Sequence, residues 1–136
     1  MAKGYKAMVD EAMAMIVTLT PQQAAEKLGD PDVVFVDIRD PRELEREGTI
    51  PKSLHATRGM LEFWIDPESP YHRKVFGEDR EFIFFCAGGL RSALATRTAL
   101  EMGLRRAAHI EGGFGEWKKL GLPVADWAAK VPGEKK

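Results

Sequence analysis

Two stretches of this chain are apolar at consecutive positions instead of alternating ones. "DVVFVDIRD" (32–40) and "EFIFFC" (81–86) each carry a run of large apolar residues that is too short for a surface helix. Both read as strands buried on both faces. "RAAHIEGG" (106–113) predicts a third strand ending in a glycine turn, and Leu54 and His55 a short fourth. Helical spacing appears elsewhere. Tyr5, Met8, Val9, Ala12, Met13 and Ile16 recur with the period of an amphipathic helix over residues 1–18. "TPQQAAEKLG" starts on Thr20 as N-cap with Pro21 at the first helical position and stops at Gly29. Asp40 and Pro41 open another short helix in "DPRELERE". The irregular stretch 57–76 predicts helices near 58–65 and 70–76 around a proline-marked loop. "RSALATRTALEMG" (91–103) and "FGEWKKLG" (114–121) complete the set, and the tail 128–136 is expected to fray.

Strands that alternate with helices and lack polar alternation imply an α/β domain: a mostly parallel sheet of four to five strands with helices on both faces. In such sheets ligands bind beyond the carboxyl ends of the strands. Cys86, Asp37 to Arg39 and Glu111 to Gly113 all fall at such ends.

Composition narrows the classes. In 136 residues the net charge is −1, which provides no basic footprint for nucleic acid or an acidic membrane. The longest apolar run near the start, Ala12 to Val17, follows Asp10 and Glu11 and is too short for a signal peptide or a membrane span. The one cysteine excludes an internal disulfide, a paired-cysteine metal site and a CxxC redox pair, and no His-based metal spacing exists. A reducing compartment, the cytoplasm, is the expectation.

That single cysteine sits in "CAGGLRS", between a strand and a helix. A free cysteine is among the most often buried residues, so packing alone could account for it. Its neighbours argue otherwise. Gly88 and Gly89 can take backbone conformations that aim successive amides at one point, forming an anion nest. The helix that follows adds its positive end, and Arg91 a permanent charge. These features favour thiolate over thiol, and thiolate is the nucleophile.

The loop "CAGGLRS" resembles the active-site pattern C-x-x-G-x-R-S of rhodanese-like sulfurtransferases. Two further motifs agree in order. "VDIRDPRELEREGTIPKSLH" is similar to the family's early signature, and "IEGGFGEWKKLGLPV" to its closing one. Thr49 stands where the family usually has histidine, and Lys52 and Ser53 where it has glycine and alanine. The resemblance implies a three-layer rhodanese-like domain over 19–127. It also implies a double displacement with Cys86 as nucleophile. Sulfane sulfur would pass from a small anionic donor such as thiosulfate, or from a protein persulfide, through a Cys86 persulfide to a nucleophilic acceptor. No metal or organic cofactor is implied. The backbone of Ala87, Gly88, Gly89, Leu90, Arg91 and Ser92 would hold the outer sulfur anion.

Around this loop several residues have two readings. Arg91 could bind the donor or fold back onto Asp37 or Glu43; a buried Asp37 would need a partner. Arg39 could tie the strand-end loops together, and Ser92 could act as an N-cap. Arg58, Phe63 and Trp64 could roof an entrance or be a surface arginine and two core aromatics. His109 reads as core or edge, Trp117 as core, and Gly112 and Gly113 as a turn for the final helix. The first helix would cover the domain or join two copies in a homodimer. A cysteine phosphatase is the rival enzyme, but phosphatase loops place arginine six residues after cysteine, against five here. A regulatory or sulfur-carrier module is the third reading.

Overall fold

Five strands form one parallel sheet in the computed structural model, which describes residues 2–127. They are β1 (Val17–Leu19), β2 (Val33–Asp37), β3 (Leu54–His55), β4 (Glu81–Phe85) and β5 (Ala107–Ile110), in the spatial order β1-β5-β4-β2-β3. Six α-helices connect or cover them: α1 (Tyr5–Met15), α2 (Pro21–Ala25), α3 (Pro41–Glu47), α4 (Leu61–Ile65), α5 (Leu90–Glu101) and α6 (Gly113–Lys119).

The unbroken apolar runs are explained by what lies on each side. Val34, Val36, Phe82 and Phe84 face one cluster, which Leu61 and Ile65 of α4 and Ala95 and Ala99 of α5 complete. Phe35, Ile83 and Phe85 face the other, closed by Ala24 of α2 and by Phe114 and Trp117 of α6. A strand buried on both sides has no solvent face to carry polar residues. Cys86 belongs to the α4–α5 side.

Three local expectations are corrected. The opening helix ends at Met15, short of residue 18, and Val17–Leu19 pair with β5 as an edge strand. Two β-branched residues, Val17 and Thr18, favour that extended state. The regular helix that begins at Pro21 lasts only to Ala25, and the chain turns on to Gly29 at φ +84°. The helix expected near 70–76 is a single 3-10 turn at Lys74–Gly77. The one expected near 58–65 is present, as a 3-10 turn at Arg58–Met60 that runs into α4. Of the apolar stripe on α1, Val9 and Ala12 are buried against Ala93 of α5, whereas Tyr5, Met8 and Met13 remain exposed. The tail 128–136 lies outside the described residues.

Candidate active site

Cys86 comes one residue after β4, at the carboxyl end of the sheet. Gly89, at φ +99°, is the N-cap of α5, a left-handed conformation that glycine adopts without a Cβ penalty. This turn brings two amides onto the sulfur. Gly89 N donates to Cys86 Sγ at 3.2 Å and Ser92 N at 3.3 Å. Ser92 Oγ lies 3.5 Å from the same sulfur. Among the described residues, the amides of Ala87, Gly88, Leu90 and Arg91 have no protein acceptor, the last two because they open α5. The turn therefore carries unpaired donors beside a cysteine that is 1% exposed. Such an arrangement offers hydrogen bonds to negative charge built at this position.

The loop is held from behind by the second glycine turn. Phe114 N donates to Cys86 O at 2.8 Å, and Gly115 N to Ala87 O at 3.0 Å. Gly113 sits at φ +61°, and a Cβ there would come within 2.5 Å of Cys86 O and 2.7 Å of Ala87 O. Gly113 thus shapes the cysteine loop as well as starting α6.

Asp37 and Arg39 form a separate, fully buried pair beside the site. Arg39 Nε and Nη2 donate to the two Asp37 carboxylate oxygens at 3.0 and 2.8 Å. Thr49 Oγ1 adds a bond to Asp37 Oδ2 at 2.7 Å. Nη2 also donates to Gly48 O at 2.7 Å, and the guanidinium stacks 4.4 Å from the Phe114 ring centroid. Lys52, one of the other departures, adopts φ +63°, which explains why a glycine suits that position.

Of its two expected carboxylate partners, Arg91 takes Glu43. The contact is bidentate, at 2.9 and 3.1 Å, and Asp37 is left to Arg39. The Arg91 guanidinium holds the Glu43 carboxyl below its usual range, and Glu43 in turn raises Arg91. Glu43 also accepts from Asp40 N at 3.1 Å in a capping box that starts α3, so one carboxylate serves helix and loop.

Arg58 and Trp64 do not join the loop. Arg58 bonds to Glu62 at 2.9 Å and Thr98 at 3.4 Å, and Trp64 packs on the α4–α5 core beneath Arg73, 5.1 Å from its centroid. Phe63 is exposed, against the expectation of a core aromatic.

His109, read from sequence as core or edge, is linked to the cysteine. Its Nδ1 lies 3.0 Å from Ser92 Oγ and its Nε2 3.2 Å from Thr18 Oγ1. Burial without a charged partner pushes its pKa down to about 4, so the imidazole is neutral at pH 7. No sequence spacing reveals this link. Parallel pairing sets His109 beside both Thr18 and Phe84, under the first turn of α5. Among the described residues no cluster of His, Cys, Asp and Glu is arranged to hold a metal ion.

Fold and site together define an α/β domain with one thiol cradled at a strand–loop–helix junction. The family model of the Rhodanese-like domain matches residues 20–120, and the chain belongs to that family. A solved structure from Rhodopseudomonas palustris, described as a protein of unknown function and possible tyrosine phosphatase, is 60% identical. It covers 92% of this chain and 96% of its own, with a TM-score of 0.89. The polysulfide-sulfur transferase homodimer of Wolinella succinogenes is 30% identical, covering 96% and 93% with a TM-score of 0.71. A mouse thiosulfate sulfurtransferase/rhodanese-like domain-containing protein 3 is 26% identical over 104 residues, 73% of this chain and 66% of that protein. The chain thus spans just under two thirds of that relative and 31% of the next curated relative it matches.

Proposed function

We propose that this protein is a sulfurtransferase that works through a persulfide on Cys86. The observation that carries the reading is the pair of amide bonds from Gly89 and Ser92 to Sγ, inside a loop with further unpaired amides. The Cys86 thiolate attacks the outer sulfur of thiosulfate, or the sulfane sulfur of a persulfide or polysulfide. A Cys86–S bond forms while the donor's S–S bond breaks, and sulfite, a thiolate or a shortened polysulfide anion leaves with the bonding pair. A nucleophilic acceptor such as cyanide then takes the outer sulfur and restores the Cys86 thiolate. The amides of 87–92 hold the negative charge on the outer sulfur between the two steps. Arg91 braces the loop through Glu43, with Asp37 and Arg39 as the rigid wall behind. The names of the sulfur-transferring relatives support the same class.

The test is mass spectrometry after incubation with thiosulfate, polysulfide and a small persulfide. Gain of one sulfur by wild type and none by Cys86→Ser is the expected result. No gain with any donor would overturn the reading. The cysteine phosphatase reading has a relative's description in its favour. Against it stand the arginine five residues after the cysteine and the Glu43 carboxylate that occupies its guanidinium. Cys86-dependent hydrolysis of an aryl phosphate by wild type would install that reading instead. A cytoplasmic location fits a working free thiol. The exposed Tyr5, Met8 and Met13 on α1 are the surface through which two copies would pair. Sedimentation of wild type against Met8→Glu checks this.

A further inference from the structure

Cys86, Ser92, His109 and Thr18 form one continuous hydrogen-bonded line from the sulfur to the edge of the sheet. The spacings are 3.5 Å from Sγ to Ser92 Oγ, 3.0 Å on to His109 Nδ1, and 3.2 Å from Nε2 to Thr18 Oγ1. Ser92 and His109 are fully buried, and Thr18 is half-buried on the edge strand β1. We propose that Ser92, His109 and Thr18 are a proton wire that carries the Cys86 thiol proton to solvent at the β1 edge, reversing its direction as the thiolate forms.

The polarity of the line follows from its two ends. With a thiol, Cys86 donates to Ser92 Oγ, whose own O–H is then free to donate to His109 Nδ1. A neutral imidazole that accepts at Nδ1 carries its proton on Nε2 and donates it to Thr18 Oγ1. Ionisation shifts every proton one place along. Ser92 Oγ takes the thiol proton and passes its own to Nδ1. Nε2 passes its proton to Thr18 Oγ1, and the Thr18 hydroxyl, which otherwise donates weakly to Met13 Sδ at 4.0 Å, turns from that sulfur to release its proton to solvent. One proton leaves Cys86, one reaches water, and no electrons change hands. In the final state Ser92 O–H donates to the thiolate, Nδ1–H to Ser92 Oγ, and Thr18 O–H to Nε2. The sulfur thereby gains a side-chain donor beside its two backbone ones, at the moment it becomes negative.

The imidazole must stay neutral for both directions to work, and its burial ensures that. Thr96, one turn after Ser92 on α5, spends its hydroxyl on Ser92 O and Ala108 O, so it does not compete. Besides Cys86, the elements around His109 carry Lys6, Asp10 and Glu11 on α1, Glu81 on β4, Arg91, Arg97 and Glu101 on α5, and Glu116, Lys118 and Lys119 on α6. None of them bonds to the imidazole, whose partners are Ser92 and Thr18, and Glu11 and Arg97 bond to each other.

The inference rests on Cys86 acting as a thiolate, as in the reading above, yet its readouts need no sulfur donor. Failure of sulfur transfer would leave them intact. The first readout is the nitrogen NMR spectrum of histidine-labelled wild type, with the His109 signals assigned by their loss in His109→Leu. His109 should be the Nε2–H tautomer before Cys86 ionises and the Nδ1–H tautomer afterwards. Cys86→Ala should keep one tautomer throughout. A single tautomer in wild type, or the same switch in Cys86→Ala, would overturn the wire. The second readout is alkylation of Cys86 by iodoacetamide at neutral pH. Ser92→Ala and His109→Leu should slow it about tenfold, the effect of losing one hydrogen bond to a charged atom, and Thr18→Val about fivefold. Unchanged rates in all three would equally overturn it.

Discussion

The ends of β4 and β2 are neighbours in one sheet, and both bury polar groups, but they are finished in opposite ways. At the end of β2 the Asp37 carboxylate accepts from Arg39 Nε, Nη2 and backbone N and from Thr49 Oγ1, so its lone pairs are matched. At the end of β4 the account does not close. Cys86 receives two amides, while four more in the same turn have no protein partner among the described residues. A saturated buried ion pair fixes structure, because removing either partner strands a charge. Unpaired donors in a turn cost stability unless they meet water or a negatively charged ligand, which is what a site for chemistry supplies.

The comparison can be broken most sharply by two substitutions. Arg39→Ala should cost about 3–5 kcal/mol by leaving Asp37 buried and unpaired, read as a large fall in melting temperature. Cys86→Ser should abolish sulfur loading while leaving the melting temperature nearly unchanged. Equal loss of stability in both would show that the two strand ends are alike.

Acid should come next. His109 has a folded pKa of about 4, below the ~6.5 of an unfolded histidine, so unfolding takes up a proton between those values. The neutral imidazole contributes fully above pH ~6.5, and its contribution is lost as pH falls toward 4, on the order of 3 kcal/mol in all. Chemical denaturation at a series of pH values measures this. His109→Leu should flatten the curve in that window. The carboxylates held low by basic partners, Glu43 and Asp32 among them, lose their contribution only at lower pH.

Gly113→Ala tests the support between the two regions. Its Cβ would meet carbonyl oxygens of Cys86 and Ala87 with no flexible atom to yield, at a positive φ. A loss of roughly 2 kcal/mol is expected, with strain at a special φ as the mechanism. Sulfur loading should fall by more than the unfolded fraction explains, because the loop itself must shift. The smallest effect belongs to Glu43→Gln. The partly exposed pair with Arg91 contributes no more than about 1 kcal/mol. Releasing the guanidinium should lower the KM for thiosulfate with little change in melting temperature.

Much of this was legible in the chain. The runs 33–37 and 81–85 declare doubly buried strands because their residues have no polar face. Thr20-Pro21, Asp40-Pro41 and the glycine-rich cysteine loop are local backbone signals, readable without knowing what lies nearby. The cysteine loop stood out as a candidate site because a strand end, two glycines, an arginine and a helix start are contiguous. The edge strand β1 was hidden: three residues after a helix carry too little periodicity to be told from its continuation.

Only the tertiary structure decided which residues meet. Arg91 and Glu43 are 48 positions apart, and the choice of Glu43 over Asp37 follows from Arg39 already filling the latter. His109 is 17 residues from Ser92 and 91 from Thr18. It reaches both because the strand order places β5 between β1 and β4, with α5 laid across them. Local sequence determines backbone preference and burial, which depend on near neighbours. Hydrogen-bond partners among buried side chains depend on strand order and register, set by how the whole chain buries its apolar surface.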